Sequence, residues 1–184
     1  MEHLSPVIGV DLTRFIPLSF KKCVVIVGSH TSSWDFIIGL AFRSKLRLTN
    51  AKYLGKAELF KGLFGIIFRN LGGFPVEGTE HHNMVDEVVQ LFNSQASFVL
   101  VLSPEDTRKK LDRLRTGFYH IAKKAGVPIV MKGLDFEKKQ ASLSEPFYPT
   151  DNEVADFQHI YQFYHNIKGK VPGQGMAHLL TTPS

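Results

Sequence analysis

The sequence predicts an α/β fold: a single domain with a central, mostly parallel or mixed sheet flanked by helices. Three observations carry that expectation. Short apolar runs such as Val24-Val25-Ile26-Val27 and Phe98-Val99-Leu100-Val101-Leu102 alternate with segments whose apolar residues recur at helical spacing. The connections between them are short and polar or glycine-containing, as strand–helix units require. A chain of 184 residues is long enough to bury one sizeable core, and it shows no internal repeat, low-complexity stretch or second-domain boundary.

Composition narrows the setting. The formal net charge of +5 favours anionic partners without choosing among phosphorylated metabolites, lipid headgroups and nucleic acid. The single cysteine, Cys23, excludes an internal disulfide framework and fits a reducing, cytoplasmic compartment; it reads as a small apolar residue at the start of a strand. Residues 1–22 lack the basic start, apolar centre and cleavage site of a secretory leader. No uninterrupted apolar stretch reaches the roughly 18 residues needed to span a bilayer. The expectation is a chain that is soluble or lies on a membrane surface.

Each element can be justified in order. Residues 24–27 form the first strand, followed by the polar turn Gly28-Ser29-His30-Thr31-Ser32-Ser33-Trp34-Asp35 and a helix over 36–42, with Ser32 or Ser33 as its N-cap. Arg43, Lys45, Arg47 and Lys52 make a basic patch around a connection. Phe60, Leu63, Phe64, Ile67 and Leu71 mark an amphipathic helix whose apolar face is widened by Leu59, Ile66 and Phe68. Gly72-Gly73 breaks it, and an extended segment resumes at Phe74-Pro75-Val76. His81-His82 falls in a polar connection. Val85, Val88, Val89 and Phe92 then mark another helix, and 97–102 a buried strand. A helix begins at Gly117 and closes at Ala125-Gly126, and a strand covers 127–131. Two further extended segments follow, around 131–136 and 141–143. Thr150-Asp151-Asn152-Glu153 resembles a capping box opening a last helix that carries Val154, Phe157, Ile160, Tyr161 and Tyr164. The domain is assigned to 1–168 and a flexible tail to 169–184.

The chemistry concentrates after the first strand. His30 precedes the helix and Asp35 falls in its first turn, so a bend can bring imidazole and carboxylate together. A carboxylate on one ring nitrogen fixes the tautomer and leaves the other nitrogen free to accept a proton. Taken alone, the pair reads more readily as an edge-of-sheet histidine and a helix-capping aspartate than as a general base. Other chemistries find no support. A Walker loop, a dinucleotide fingerprint, a Gly-x-Ser-x-Gly nucleophile elbow and zinc-ligand spacing are all missing from the sequence, and the expectation is no metal.

Four blocks in order carry a resemblance. His30-Thr31-Ser32-Ser33-Trp34-Asp35, Gly55-Lys56-Ala57-Glu58-Leu59 with Gly72-Gly73-Phe74-Pro75-Val76, Pro104-Glu105-Asp106-Thr107-Arg108, and Val127-Pro128-Ile129-Val130 resemble the four motifs of the phospholipid/glycerol acyltransferase family, best known for lysophosphatidate acyltransferases. The chain is most similar to short bacterial members without N-terminal membrane helices.

The resemblance implies an O-acyltransferase with the family's glycerol-phosphate-acyltransferase-like fold. It moves a fatty acyl group from acyl-CoA or acyl carrier protein to a hydroxyl of a lysolipid acceptor, with no tightly bound cofactor. It makes His30 the general base and Asp35 its orienting partner, and assigns substrate binding to Lys56, Gly72, Gly73, Glu105, Thr107 and Arg108, the two glycines as candidate oxyanion donors. The basic residues Arg108, Lys109, Lys110, Arg113, Arg115, Lys123 and Lys124 read equally as a solvated basic face or, given the resemblance, as contacts to carrier phosphates or an anionic bilayer surface; the expected location is cytoplasmic, with a peripheral position on the inner face of the cell membrane as the membrane-contacting form. Two positions depart from the family pattern: Gly78 stands where an arginine follows the second block, and Asp106 replaces the glycine of the third. They leave the acceptor open, and with it a second reading: a catalytically weak lipid- or acyl-carrier-binding protein that keeps the fold. Nucleic acid is not an expected partner, because the basic residues lack interleaved aromatics and a recognised module.

Overall fold

The computed structural model describes residues 20–28, 51–56, 60–70, 72–76, 81–104, 114–135, 137–138, 140–165 and 167. Its strands are β1 (Lys22–Gly28), β2 (Ala51–Lys56), β3 (Gly73–Val76), β4 (Phe98–Leu102), β5 (Ile129–Asp135) and β6 (Gln140–Leu143). Its helices are α1 (Gly62–Asn70), α2 (His81–Ser94), α3 (Gly117–Ala125) and α4 (Glu153–His165). The six strands make one sheet in the order β3-β2-β4-β1-β5-β6. All neighbours are parallel except the edge hairpin β5–β6. This is the expected mixed sheet flanked by helices.

Strand β1 is central because its sequence allows nothing else. Cys23, Val24, Val25 and Ile26 are buried on both faces, which suits a near-continuous apolar run in a parallel sheet. Alternation divides its neighbours into two cores. Val24 and Ile26 join Phe98, Leu100, Ile129 and Met131 against α2, α3 and α4, whereas Cys23 and Val25 join Val99 and Val130 on the opposite face. Burial pushes the Cys23 thiol up to about 11, so it acts as a small apolar residue.

The helices follow their sequence signals closely. Val88 and Phe92 of α2 face the core, with Phe92 edge-on to Phe98 at 4.8 Å between centroids. Helix α3 ends where Gly126 takes the left-handed conformation (φ 64°), its amide returning to the carbonyls of the last turn. Surface ion pairs tie Lys124 to Asp86 of α2, and Lys123 to Asp151.

Several expectations change in detail. Residues 51–56, which the sequence left unassigned around Lys52, form β2. His81 and His82 open α2 and do not precede it. The extended segments at 127–131 and 131–136 are one strand, β5, which turns back at Asp135: its carboxylate accepts from the Lys138 amide at 2.8 Å. Val154 of α4 is 60% exposed, outside the core face. The helix 36–42, the basic residues at 43–47 and the tail from 169 lie outside the described residues.

The capping box also resolves differently. Asn152, not Thr150, caps α4, its side-chain oxygen accepting from the Ala155 amide at 3.1 Å. Thr150 instead engages Asp156, whose buried carboxylate accepts from the Thr150 amide (2.6 Å), the Thr150 hydroxyl and the Tyr119 hydroxyl (2.9 Å). Burial first, and then the bond to Asp156, push the Tyr119 hydroxyl up to about 12, so it remains a donor. This knot fastens α4 to α3. Asp156→Ala strips the Thr150 amide and hydroxyl of their carboxylate acceptor and leaves the Tyr119 hydroxyl only the Thr150 carbonyl, and should lower unfolding stability by roughly 2–3 kcal/mol in urea titrations.

Candidate active site

Parallel pairing gathers the strand ends. Ile26 lies opposite Leu102 of β4, Gly28 opposite Gly133 of β5, Tyr53 opposite Val101, and Lys56 opposite Val76. Gly28, Lys56, Val76 and Leu102 therefore finish at one carboxyl edge, where open α/β sheets bind ligands. The chain beyond Gly28, which carries His30 two residues later, departs from the middle of that edge. The chain beyond Leu102, which carries the third block, departs from the adjacent strand. Pro104 is buried, and its carbonyl accepts from the Arg115 amide at 3.1 Å, so the two ends of the intervening excursion are pinned together.

The predicted site residues fall unevenly on this frame. Lys56 closes β2 at the carboxyl edge. Gly73 lies three positions back from it, paired with Tyr53, and Gly72 precedes Gly73. Gly72 adopts φ 88°, its amide donates to the Arg69 carbonyl at 2.9 Å, and its carbonyl accepts from the Tyr53 amide. Only a residue at ease with positive φ can close α1 and start β3 in this way. The Gly72 N–H is thereby engaged by the last turn of α1. His30, Asp35, Glu105, Thr107 and Arg108 lie outside the described residues, as do Gly78, Asp106, Lys109, Lys110 and Arg113. Of the expected basic surface, Arg115, Lys123 and Lys124 are exposed, with Lys123 paired to Asp151 and Lys124 to Asp86. Among the described residues, no group of three or more His, Cys, Asp or Glu side chains could hold a metal, and no helix is long and apolar enough to cross a membrane.

Two residues near this edge escaped the sequence reading. Lys132 of β5, paired with Val27, is 1% exposed, and burial lowers its amine to about 6. The sequence placed Lys132 in an extended segment over 131–136, but a lysine in such a segment gives no sign that its side chain is buried. Tyr164 of α4 was expected in the core for its ring. Its hydroxyl also donates to the backbone carbonyls of Ile26 (2.8 Å) and Lys132 (3.2 Å), joining β1 to β5 just below their ends.

Comparison with known proteins fits this geometry. Residues 10–131 match the family model described as Acyltransferase, well over half of the chain. The chain belongs to the Acyltransferase family. A 1-acyl-sn-glycerol-3-phosphate acyltransferase of Haemophilus influenzae is 26% identical over 137 residues, covering 70% of this chain and 55% of that protein. The chain thus spans about half the length of this curated relative. The crystal structure of the 1-acyl-sn-glycerophosphate (LPA) acyltransferase PlsC from Thermotoga maritima superposes with a TM-score of 0.57 at 20% identity, covering 84% of this chain and 67% of that one. At that identity the likeness is one of fold, and it supports the α/β sheet described above.

Lys132 makes a pH prediction. Its folded-state pKa of about 6 lies below the 10.5 of the free side chain. Between those values the unfolded chain holds a proton that the folded protein does not, so this residue makes stability rise with pH across that window. Its penalty is complete below about pH 6 and gone above the unfolded pKa. Unfolding titrations at pH 7 to 9.5 should show a wild-type slope that exceeds that of Lys132→Met by up to about 1.4 kcal/mol per pH unit.

Proposed function

We propose that this chain transfers a fatty acyl group from a thioester donor, acyl-CoA or acyl carrier protein, to a hydroxyl of a lysophospholipid-like acceptor. The observation that supports the reading is the placement of β1: it is an interior strand of the matched family region, it ends at the carboxyl edge, and the sequence leads directly from it into the His30-to-Asp35 motif. His30 takes the proton of the acceptor hydroxyl as its oxygen attacks the thioester carbonyl, and Asp35 steadies the imidazolium that forms. The tetrahedral intermediate collapses with cleavage of the C–S bond, and the imidazolium returns its proton to the departing thiolate. No acyl-enzyme is needed.

Substrate anions are met by Lys56 and by the third block, with Arg108 and Thr107 as donors and Glu105 as their neighbour. No tightly bound cofactor or metal enters the reaction. Exposed Ile66 on α1, flanked by exposed Lys61 and Arg69, suits contact with an anionic bilayer and hence a cytoplasmic, peripheral position on the inner face of the cell membrane. A second reading rests on Gly78 and Asp106. With one cation fewer and one carboxylate more than the family pattern, the chain binds lysolipid or acyl carrier and transfers weakly.

Mass spectrometry of products from a panel of lysolipids and acyl donors separates the two readings, since only the first yields transfer above background. In the same assay, His30→Ala should lower turnover by about 10²–10⁴-fold, the usual worth of a general base, with an unchanged melting temperature. Retained turnover in that variant would overturn the assignment of His30.

A further inference from the structure

The C-terminal end of α4 sits against the base of the proposed catalytic segment in a way that packing alone does not require. Gly28 and Gly133 are buried and face each other across β1 and β5. Residues paired in this way share a face of the sheet. It is the face of Ile26 and Met131, covered by α4. Ile167 lies over Gly133: a Cβ there would collide with its Cδ1 and come 3.1 Å from its Cγ1 and 3.2 Å from its Cγ2. The Ile167 amide donates to the Tyr164 carbonyl at 3.1 Å, and the Tyr164 hydroxyl donates to the Ile26 and Lys132 carbonyls. Ile167 thus fills the recess over Gly133, while Tyr164 bonds β1 two residues before Gly28 and β5 one residue before Gly133.

We propose that Tyr164 and Ile167 form a clamp on the paired ends of β1 and β5, and that these positioning residues fix the direction in which the chain leaves Gly28 and so the placement of His30. The inference rests on His30 being the general base. Only Ser29 stands between Gly28 and His30 in the sequence, too little chain to absorb a shift in the strand end. Glycine at 28 and 133 leaves the ends without side chains of their own to hold them. The hydroxyl and the Ile167 methyl supply that support from outside the sheet. Small misplacements of a catalytic group lower rate far more than binding.

Three variants test the clamp. Tyr164→Phe removes the hydroxyl and keeps the ring. Gly133→Ala forces a Cβ against Ile167, and Gly133→Ala/Ile167→Val moves a methyl from one side of the contact to the other at nearly constant volume. Ile167→Val alone deletes one methyl and serves as the mildest probe should either harsher single variant fail to fold. Far below the melting temperature, the NMR titration of the His30 imidazole, assigned by comparison with His30→Gln, should change its midpoint and chemical shifts in Tyr164→Phe and Gly133→Ala, and should return towards wild type in the methyl swap. In acyl transfer, kcat should fall about tenfold in the first two with KM within about twofold, and recover in the swap. A purely structural role would lower the melting temperature and leave the His30 titration of the folded variants untouched; that result overturns the clamp. Should wild type transfer no acyl group to any acceptor, the proposed function fails, and the His30 titration still decides the clamp.

Discussion

The burial of β1 between β4 and β5 is the interaction on which the other elements depend. Val24 and Ile26 anchor one core and Cys23 and Val25 the other, so a single strand couples the two faces of the sheet. Each fully buried aliphatic side chain contributes about 1.5–3 kcal/mol, and β1 concentrates several of them in four consecutive residues. That density fixes register as well as stability: a slip of one residue would exchange the two cores and turn every side chain of the strand to the wrong face. Register in turn decides which residues reach the carboxyl edge. The position of the strand end from which the His30 segment departs is therefore a consequence of hydrophobic pattern before any reactive group is considered.

Polar groups are used against this apolar background in two distinct ways. Asp156 is buried but collects donors from Thr150 and Tyr119, and its position outside the sheet lets it join helices without disturbing strand pairing. Tyr164 reaches the sheet itself, donating to carbonyls of two adjacent strands. Lys132 goes the other way, carrying an amine into the face of Val25 and Val130 at the expense of its solvation. The first contact secures α3 to α4, and the second couples α4 to the strand ends. The helix at the end of the described chain thereby gains a physical connection to the strand near its beginning.

Much of this was legible in the sequence because it follows from periodicity. The apolar runs of β1 and β4, the helical spacing of α2 and α3, and Gly126 as a helix stop all emerged from local rules that tertiary packing did not oppose. Strand β2 was missed because Ala51-Lys52-Tyr53-Leu54-Gly55-Lys56 has neither alternation nor a β-branched run; its pairing with β3 and β4 makes it a strand. The break of β5 at Met131 was mistaken for the same reason in reverse, since a lysine in a buried strand contradicts its local pattern. The positive φ of Gly72 and its bonds to Arg69 and Tyr53 belong to a turn geometry that no spacing rule encodes. Likewise the hydroxyl of Tyr164 finds one acceptor 138 residues away in sequence and the other 32 away, contacts visible only once the sheet order is known. His30 and Asp35 were legible as a motif, and their support is the strand that precedes them.

The same sheet order separates the two departures from the family pattern. Asp106 follows β4, the immediate neighbour of β1, whereas Gly78 follows β3, which stands three strand positions from β1 at the edge. At about 4.8 Å per strand, the ends of β1 and β3 lie roughly 14 Å apart, beyond a physiological Debye length of about 8 Å. Gly78 and Asp106 therefore belong to connections that leave the sheet at different distances from β1, one at the edge and one beside it. The strands fix where each segment departs, and the segments supply the charges; the hydrophobic pattern that orders the strands thereby also orders the positions at which the chain departs from the family pattern.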